Sequence, residues 1–217
     1  WNSFSENVSL LLSRRYFVKK LFRMSAITRS IRESTAILAS QSPERLNLLK
    51  QIGIDPKIIV SNFEENLSKE LPVEEFVIQT AVGKLNVVVE DLKKDQTSFD
   101  FIIAADTVIH FENEIIGKPK DDEDARKTIQ RLSNTSHDVY TGMAIHFFDG
   151  STVNVIEKTT VRFRNLPQQT IDAYIASGEH RGKAGSYGIQ RKGAILVQGI
   201  DGCFPNIVGL PLGRLMD

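Results

Sequence analysis

Two carboxylates interrupt or follow apolar runs of this sequence and are candidates for acid–base or metal chemistry. Asp106 lies inside the apolar run 101–110, and Glu64 follows the shorter run 57–61. A carboxylate in a buried strand is costly unless it has a partner. Asp106 is therefore either a buried residue that caps a turn, or a metal ligand or general base at a strand end. Glu64 taken alone is a solvated surface charge.

Several cations have surroundings that suit an anionic ligand. Lys118 lies between Gly117 and Pro119, and Lys183 lies in a Gly-Lys-Ala-Gly stretch, where glycine lets backbone approach a ligand closely. Lys84 falls on a predicted helix. For each lysine the simpler interpretation is a solvated charge on a hairpin, a loop or a helix.

The stretch ILASQSPERL predicts a buried strand followed by a helix. Ser42 is a favourable N-cap and Pro43 a favourable first helical residue. Ser40, Ser42 and Arg45 would then surround a helix N-terminus, where backbone N–H groups and the helix dipole favour an anion.

Several kinds of site are disfavoured by their missing motifs. The chain has no GxxxxGK[ST] loop, no dinucleotide-binding glycine pattern and no HExxH pair, and Ser40 has no nucleophile elbow around it. The remaining pattern suits hard cations: carboxylates for Mg²⁺ or Mn²⁺, with serine, arginine and lysine for phosphate oxygens.

Strands and helices alternate along the chain, which predicts an α/β fold with a mixed, twisted sheet and flanking helices. Pro72 and Pro167 each precede an apolar pattern with helical spacing, and Asp149-Gly150 predicts a hairpin turn. The predicted helices begin at Ser42, Pro72, Asp121 and Pro167, and the predicted strands include 57–61 and 101–110.

The composition limits the function and the compartment. Lys+Arg and Asp+Glu both number 27, so no overall charge attracts a nucleic acid polymer or a membrane surface. The single cysteine, Cys203, excludes an intrachain disulfide. No apolar run approaches the ~20 residues that span a bilayer. We expect a cytoplasmic protein.

Residues 1–35 form a basic N-terminal extension. They hold seven Lys or Arg and two Glu, a net charge of 7 − 2 = +5. A basic, acid-poor leader is typical of a transit peptide, so mitochondrial targeting stays open. The interpretation we favour is a surface helix that packs on the main domain.

Four blocks of this sequence resemble the Maf family of nucleoside triphosphate pyrophosphatases, which are related to the inosine triphosphate pyrophosphatases. The resemblance implies a domain over 36–217, with two lobes around a deep nucleotide-binding cleft. It also implies hydrolysis of a nucleoside triphosphate to the monophosphate and pyrophosphate. The blocks are LASQSPERLNLL, AADTVIHFENEIIGKP, LSNTSHDVYTG, and KAGSYGIQ followed by VGLPL.

The resemblance implies roles for ten residues. Glu64 and Asp106 would bind Mg²⁺ or Mn²⁺, and Asp106 would also deprotonate or orient the attacking water. The implied phosphate and metal positions are Ser40, Arg45, Glu64, Lys84, Asp106, Lys118 and Lys183, and the implied base-recognising positions are Glu44, Thr107 and Gln190.

Glu44 is the sharpest departure from the family pattern, because the pyrimidine-preferring branch usually has arginine there. The expected substrates are dTTP, UTP or modified pyrimidine nucleotides. A purine-type enzyme acting on 7-methylguanosine or inosine triphosphate, and a non-catalytic nucleotide-binding module, are the alternatives. A homodimer is one assembly compatible with these features.

Overall fold

The computed structural model describes residues 35–215, so the N-terminal extension lies outside the described residues except for Thr35. Within this part, six α-helices and seven β-strands alternate, as the sequence predicts. The helices are α1 (Pro43–Gln51), α2 (Val73–Lys94), α3 (Asp122–Leu132), α4 (Gln168–Ala176), α5 (Phe204–Val208) and α6 (Leu212–Leu215). The strands are β1 (Ala36–Leu38), β2 (Lys57–Ile58), β3 (Phe101–Phe111), β4 (Glu114–Ile116), β5 (Ser136–Phe147), β6 (Thr152–Phe163) and β7 (Val197–Asp201).

The strands form one mixed sheet in the order β2-β1-β3-β5-β6-β7, with β4 also paired to β3. β1 runs parallel to β2 and β3, and every other pairing is antiparallel. The predicted α/β fold with a mixed sheet is confirmed.

One edge of β3 is paired at both ends and open in the middle. Its first three residues pair with β1, and residues 109–111 pair with β4. β5 occupies the opposite edge along ten consecutive residue pairs. Residues 104–108 therefore face a gap between β1 and β4, and Asp106 and Thr107 lie in it.

This gap corrects the expectation that Asp106 ends a strand. β3 continues through Asp106 to Phe111. What ends is the neighbouring strand, because β1 leaves the sheet after Leu38 and the chain turns into α1. The carboxylate thus stays at a sheet edge although its own strand is continuous.

Helices cover both faces of the sheet, and α2 packs closest. Its apolar face, including Val77, Ala81 and Leu85, is almost fully buried against β1, β3 and β5. Gly142 of β5 permits this approach, because a Cβ there would lie 2.5 Å from the backbone carbonyl of Val77. α2 therefore has a fixed position over β3 and β5.

A second apolar cluster forms the other lobe from α3, α4, β5, β6 and the segment that contains Tyr187 and Leu196. Two short 3-10 turns, Ala184–Ser186 and Lys192–Leu196, lie in that segment. Among the described helices, none is both long and apolar enough to cross a membrane.

Candidate active site

A cavity of about 370 Å³ opens at the gap along β3. Its walls come from the N-terminus of α1, the loop after β2, α2, β3 and residues 182–190. Nine of the ten predicted site residues line it: Ser40, Glu44, Arg45, Lys84, Asp106, Thr107, Lys118, Lys183 and Gln190.

Arg45 lies at the base of this cavity, in the first turn of α1. Ser42 caps that helix as predicted, accepting a hydrogen bond from the backbone N–H of Arg45 at 3.3 Å. The guanidinium donates from Nε to the carbonyl of Gly209 at 2.8 Å, from Nη1 to Ser40 Oγ at 3.2 Å and from Nη2 to Thr107 Oγ1 at 3.1 Å. Three acceptors thus fix the plane of the guanidinium.

Burial lowers the pKa of Arg45 from its usual value, and the charges of Asp106 and Glu65 partly offset that effect. An arginine keeps its proton in proteins even so. Its three acceptors are all uncharged, and it forms no ion pair with any described carboxylate. Arg45 therefore presents a positive charge to the cavity, and no carboxylate of residues 35–215 is in direct contact with it, although Asp106 and Glu65 attract it from farther away.

Lys84 of α2 brings two carboxylates together beside Arg45. Its Nζ lies 2.7 Å from Asp106 Oδ1 and 2.8 Å from Glu65 Oε1. The two oxygens are therefore at most 5.5 Å apart, the sum of those distances. Burial raises the pKa of Glu65, but the hydrogen bond and charge of Lys84, together with the charges of Lys118 and Arg45, outweigh it, so the pKa is lowered overall. Glu65 is thus ionised at neutral pH.

Glu64 is the one predicted site residue that does not line the cavity. Both Glu64 and the next residue, Glu65, are exposed, but only Glu65 lines the cavity and contacts Lys84. The loop after β2 has no regular side-chain period, so the sequence did not indicate which of the two adjacent glutamates points inward.

Glu44 and Lys183 form an ion pair across the cavity wall. Lys183 Nζ lies 2.7 Å from Glu44 Oε1, and both side chains are largely buried. Lys118 approaches from the turn after β4 and forms no ion pair with any described residue. Two of the three predicted phosphate-binding lysines, Lys84 and Lys183, are thus already paired with carboxylates.

Residues 182–190 form a wall that the sequence indicated only in part. Lys183 and Gln190 were predicted there, whereas the buried Tyr187 was not. Gly185 has a φ of +65°, and a Cβ on it would overlap Ile109, so only glycine fits. Its N–H donates to the carbonyl of Gly117 at 2.9 Å, which joins this wall to the turn that carries Lys118.

Seven charged side chains line the cavity, four cations and three carboxylates, a formal charge of 4 − 3 = +1. Because this net positive charge is small, the cavity suits an anion that binds together with a metal cation. Carboxylates beside a planar arginine and several lysines are the groups that position and stabilise a transferring phosphoryl group.

The sequence model described as Maf-like protein matches residues 35–217. The chain belongs to the Maf family. A protein named dTTP/UTP pyrophosphatase from Acetivibrio thermocellus is 43% identical over 184 residues, covering 83% of this chain and 92% of the relative. A Bacillus cereus protein of the same name is 43% identical over 180 residues, covering 83% and 91%.

Similar solved structures agree with the fold of this Maf protein. A HAM1 protein from Coxiella burnetii superposes with a TM-score of 0.50 at 16% identity, covering 84% of this chain and 96% of that structure. Identity this low supports the shared architecture alone. The family assignment comes from the sequence match.

Proposed function

We propose that this protein hydrolyses nucleoside triphosphates to the nucleoside monophosphate and pyrophosphate, with dTTP and UTP as its substrates. The arrangement that carries the proposal is Arg45, fixed by three uncharged acceptors, beside the Asp106–Lys84–Glu65 cluster in one cavity. Relatives that match over most of their length are named for this activity.

The chain's own cations would hold the triphosphate. Arg45 presents a planar fork that matches phosphate oxygens, and Lys118 adds a second positive charge at the cavity wall. Ser40 and the N-terminus of α1 add neutral donors at the same wall. These contacts would orient the α-phosphorus and stabilise the charge that develops on the leaving pyrophosphate.

Asp106 is the group that would orient and deprotonate the attacking water. It is buried at the sheet gap, and one of its oxygens bonds Lys84. This leaves the other carboxylate oxygen to accept a proton. Lys84 would hold the carboxylate in a fixed rotamer through this contact, so its role is positioning as well as charge.

The donor set fits Mg²⁺ or Mn²⁺. Among the described residues no group of three or more metal-ligating side chains occurs, but Mg²⁺ is often bound by one or two carboxylates together with substrate phosphates. Asp106 and Glu65 would supply those carboxylates, with Glu65 in place of the predicted Glu64. When bound, the cation would offset phosphate charge and polarise the phosphorus.

The base would be recognised by Glu44, Thr107 and Gln190, which line the same cavity. Glu44 Oε1 is bonded to Lys183, so its second oxygen is the one that could accept an N–H from a base. Uracil and thymine offer such a donor, as do guanine-like bases. A nucleotide panel is therefore needed to define the base.

The test is a panel of dTTP, UTP, CTP, GTP, ITP and 7-methylguanosine triphosphate with Mg²⁺ or Mn²⁺, in which pyrophosphate and orthophosphate are measured separately. We expect pyrophosphate and monophosphate as first products, fastest for dTTP and UTP. Orthophosphate and diphosphate as first products would contradict attack at the α-phosphorus. Full activity in excess chelator would contradict the metal requirement.

A further inference from the structure

The groups behind Arg45 form a chain of hydrogen-bonded hydroxyls that runs from β3 to β5 and ends at a carbonyl of α5. Thr107 Oγ1, which accepts from Arg45, lies 2.9 Å from Thr141 Oγ1 on the neighbouring strand β5. Thr141 Oγ1 in turn lies 3.2 Å from the backbone carbonyl of Asn206 in α5. Thr141 is fully buried and does not line the cavity.

The direction of this chain follows from the group at its end. A carbonyl can only accept, so the bond between Thr141 and Asn206 forms only when Thr141 donates its single proton to that carbonyl. Thr141 then accepts from Thr107, and one lone pair of Thr107 accepts the N–H of Arg45. The alternative acceptor for Thr107, the carbonyl of Gly209, is at 3.5 Å and already accepts from Arg45 Nε.

Such a chain makes the Thr107 oxygen a better acceptor, because hydrogen bonds that point the same way polarise one another. It stabilises the guanidinium without a negative charge. A carboxylate in the same place would neutralise Arg45 and compete with phosphate. The hydrogen-bonded hydroxyls thus stabilise a partly buried arginine that must remain available to bind an anion.

The Asn206 carbonyl, at the end of this chain of hydrogen bonds, is itself held in place. Asn206 is fully buried, and its Nδ2 donates to the carbonyl of Val139 at 3.0 Å and to Thr159 Oγ1 at 3.0 Å. These bonds tie α5 to β5 and β6, and so hold the carbonyl that terminates the chain. α5 also leads directly into Gly209, the acceptor for Arg45 Nε.

We propose that Thr141, with the Asn206 carbonyl as its acceptor, is a positioning residue that orients and stabilises Arg45 for phosphate binding. The proposal rests on the proposed function for its substrate, but it predicts binding of any polyphosphate. Thr141 touches neither substrate nor metal and acts only through Thr107 and Arg45.

The test compares Thr141→Val, which removes the hydroxyl at nearly constant volume, with Thr141→Ser, which keeps it. Thr80→Val is the matched control, since Thr80 is equally buried and bonds only the Phe76 carbonyl of its own helix. Thr141→Ala removes the same hydroxyl without added bulk, and replaces the valine variant if that variant does not fold. Two quantities are measured for each: the Kd of inorganic tripolyphosphate by calorimetry, and kcat/KM for dTTP.

We expect Thr141→Val to weaken tripolyphosphate binding and to lower kcat/KM by about tenfold each, with Thr80→Val within about twofold of wild type. Thr141→Ser should recover most of the loss. In an Arg45→Lys background the same valine change should cost less than about twofold, because the group that the chain serves is gone.

Two results would overturn the proposal. One is equal tripolyphosphate affinity in wild type, Thr141→Val and Thr80→Val. The other is an undiminished effect of Thr141→Val in the Arg45→Lys background, which would indicate general damage to the fold. A wild type that binds tripolyphosphate but releases no pyrophosphate would instead contradict the proposed function, and the binding comparison would still decide the role of Thr141.

Discussion

The ion pair between Glu44 and Lys183 gives the most informative single substitution. Glu44→Gln keeps the shape of the side chain and removes its charge, so Lys183 loses its counter-ion. The formal charge of the cavity rises from +1 to +2, since one of its three carboxylates is lost. Every triphosphate should then bind more tightly, whatever its base.

The size of the effect follows from Coulomb's law. One extra positive charge about 8 Å from a phosphate contributes roughly 2 kcal/mol at an effective dielectric of about 20. The Lys183 side chain is 30% exposed, so solvent screening reduces this gain. We expect a decrease in KM of about fivefold, which corresponds to about 1 kcal/mol.

Base recognition is tested by a second substitution at the same position. Glu44→Arg restores the residue usual in the pyrimidine-preferring branch and removes an acceptor for N–H donors. If Glu44 reads the base, the loss of this acceptor should change the ranking of kcat/KM across the nucleotide panel, with the bond cleaved unchanged. Loss of a matched buried hydrogen bond can change specificity strongly.

The control separates these roles from a helix-dipole effect. A carboxylate in the first turn of a helix contributes about 0.3–1 kcal/mol to stability, and Glu44 has this position in α1. Glu75→Gln removes an exposed first-turn carboxylate from α2, outside the cavity. Three results taken together would refute this reasoning: Glu44→Gln leaves KM unchanged, Glu44→Arg leaves the substrate ranking unchanged, and both variants have the same thermal stability as Glu75→Gln. In that case Glu44 only interacts with the helix dipole.

Three further predictions concern the clamp and the core. Arg45→Lys keeps the charge but cannot reach three fixed acceptors, so kcat/KM should fall by at least about tenfold, and a value within about twofold of wild type would contradict the clamp. Gly142→Ala places a Cβ 2.5 Å from the Val77 backbone and should destabilise the fold by about 1–3 kcal/mol in urea unfolding, whereas Gly213→Ala, with no atom within 4 Å, should not. Burial lowers the pKa of His137 to about 4, so the unfolded chain binds more protons below about pH 6.5. The free energy of unfolding should therefore fall by roughly 3 kcal/mol between about pH 6.5 and 4, and a His137→Gln variant that loses as much over that range would contradict this assignment.

Local signals in the sequence were sufficient where the cause of the structure is local. Ser42 caps α1, Pro72 precedes α2, and Gly150 has the positive φ that the predicted hairpin turn requires. The strand predicted over 57–61 is shorter in the structure, Lys57–Ile58. Its partner β1 has only three residues, and that length depends on tertiary structure.

Contacts between segments that are distant in the sequence determine the features of the site that the sequence did not predict. Glu65 rather than Glu64 enters the cavity because Lys84, on a different element, attracts it. The residue types of Thr141 and Asn206 alone gave no indication that these residues support the site. Their importance arises from the antiparallel register that places Thr141 directly opposite Thr107, a pairing visible only once β3 and β5 are aligned.

The gap along β3 has a consequence for how proteins of this architecture can change over evolutionary time. The ten residue pairs with β5 hold the strand in register from one side. On the other side, residues 104–108 pair with no strand, and the two of them that line the cavity, Asp106 and Thr107, can be replaced without breaking a strand pairing on that edge. Ala104, Ala105 and Val108 are core residues that packing holds in place. The cavity-lining positions of β3 are thus separate from its core positions, and new substrates or reactions could arise at them by point substitution while the scaffold is retained.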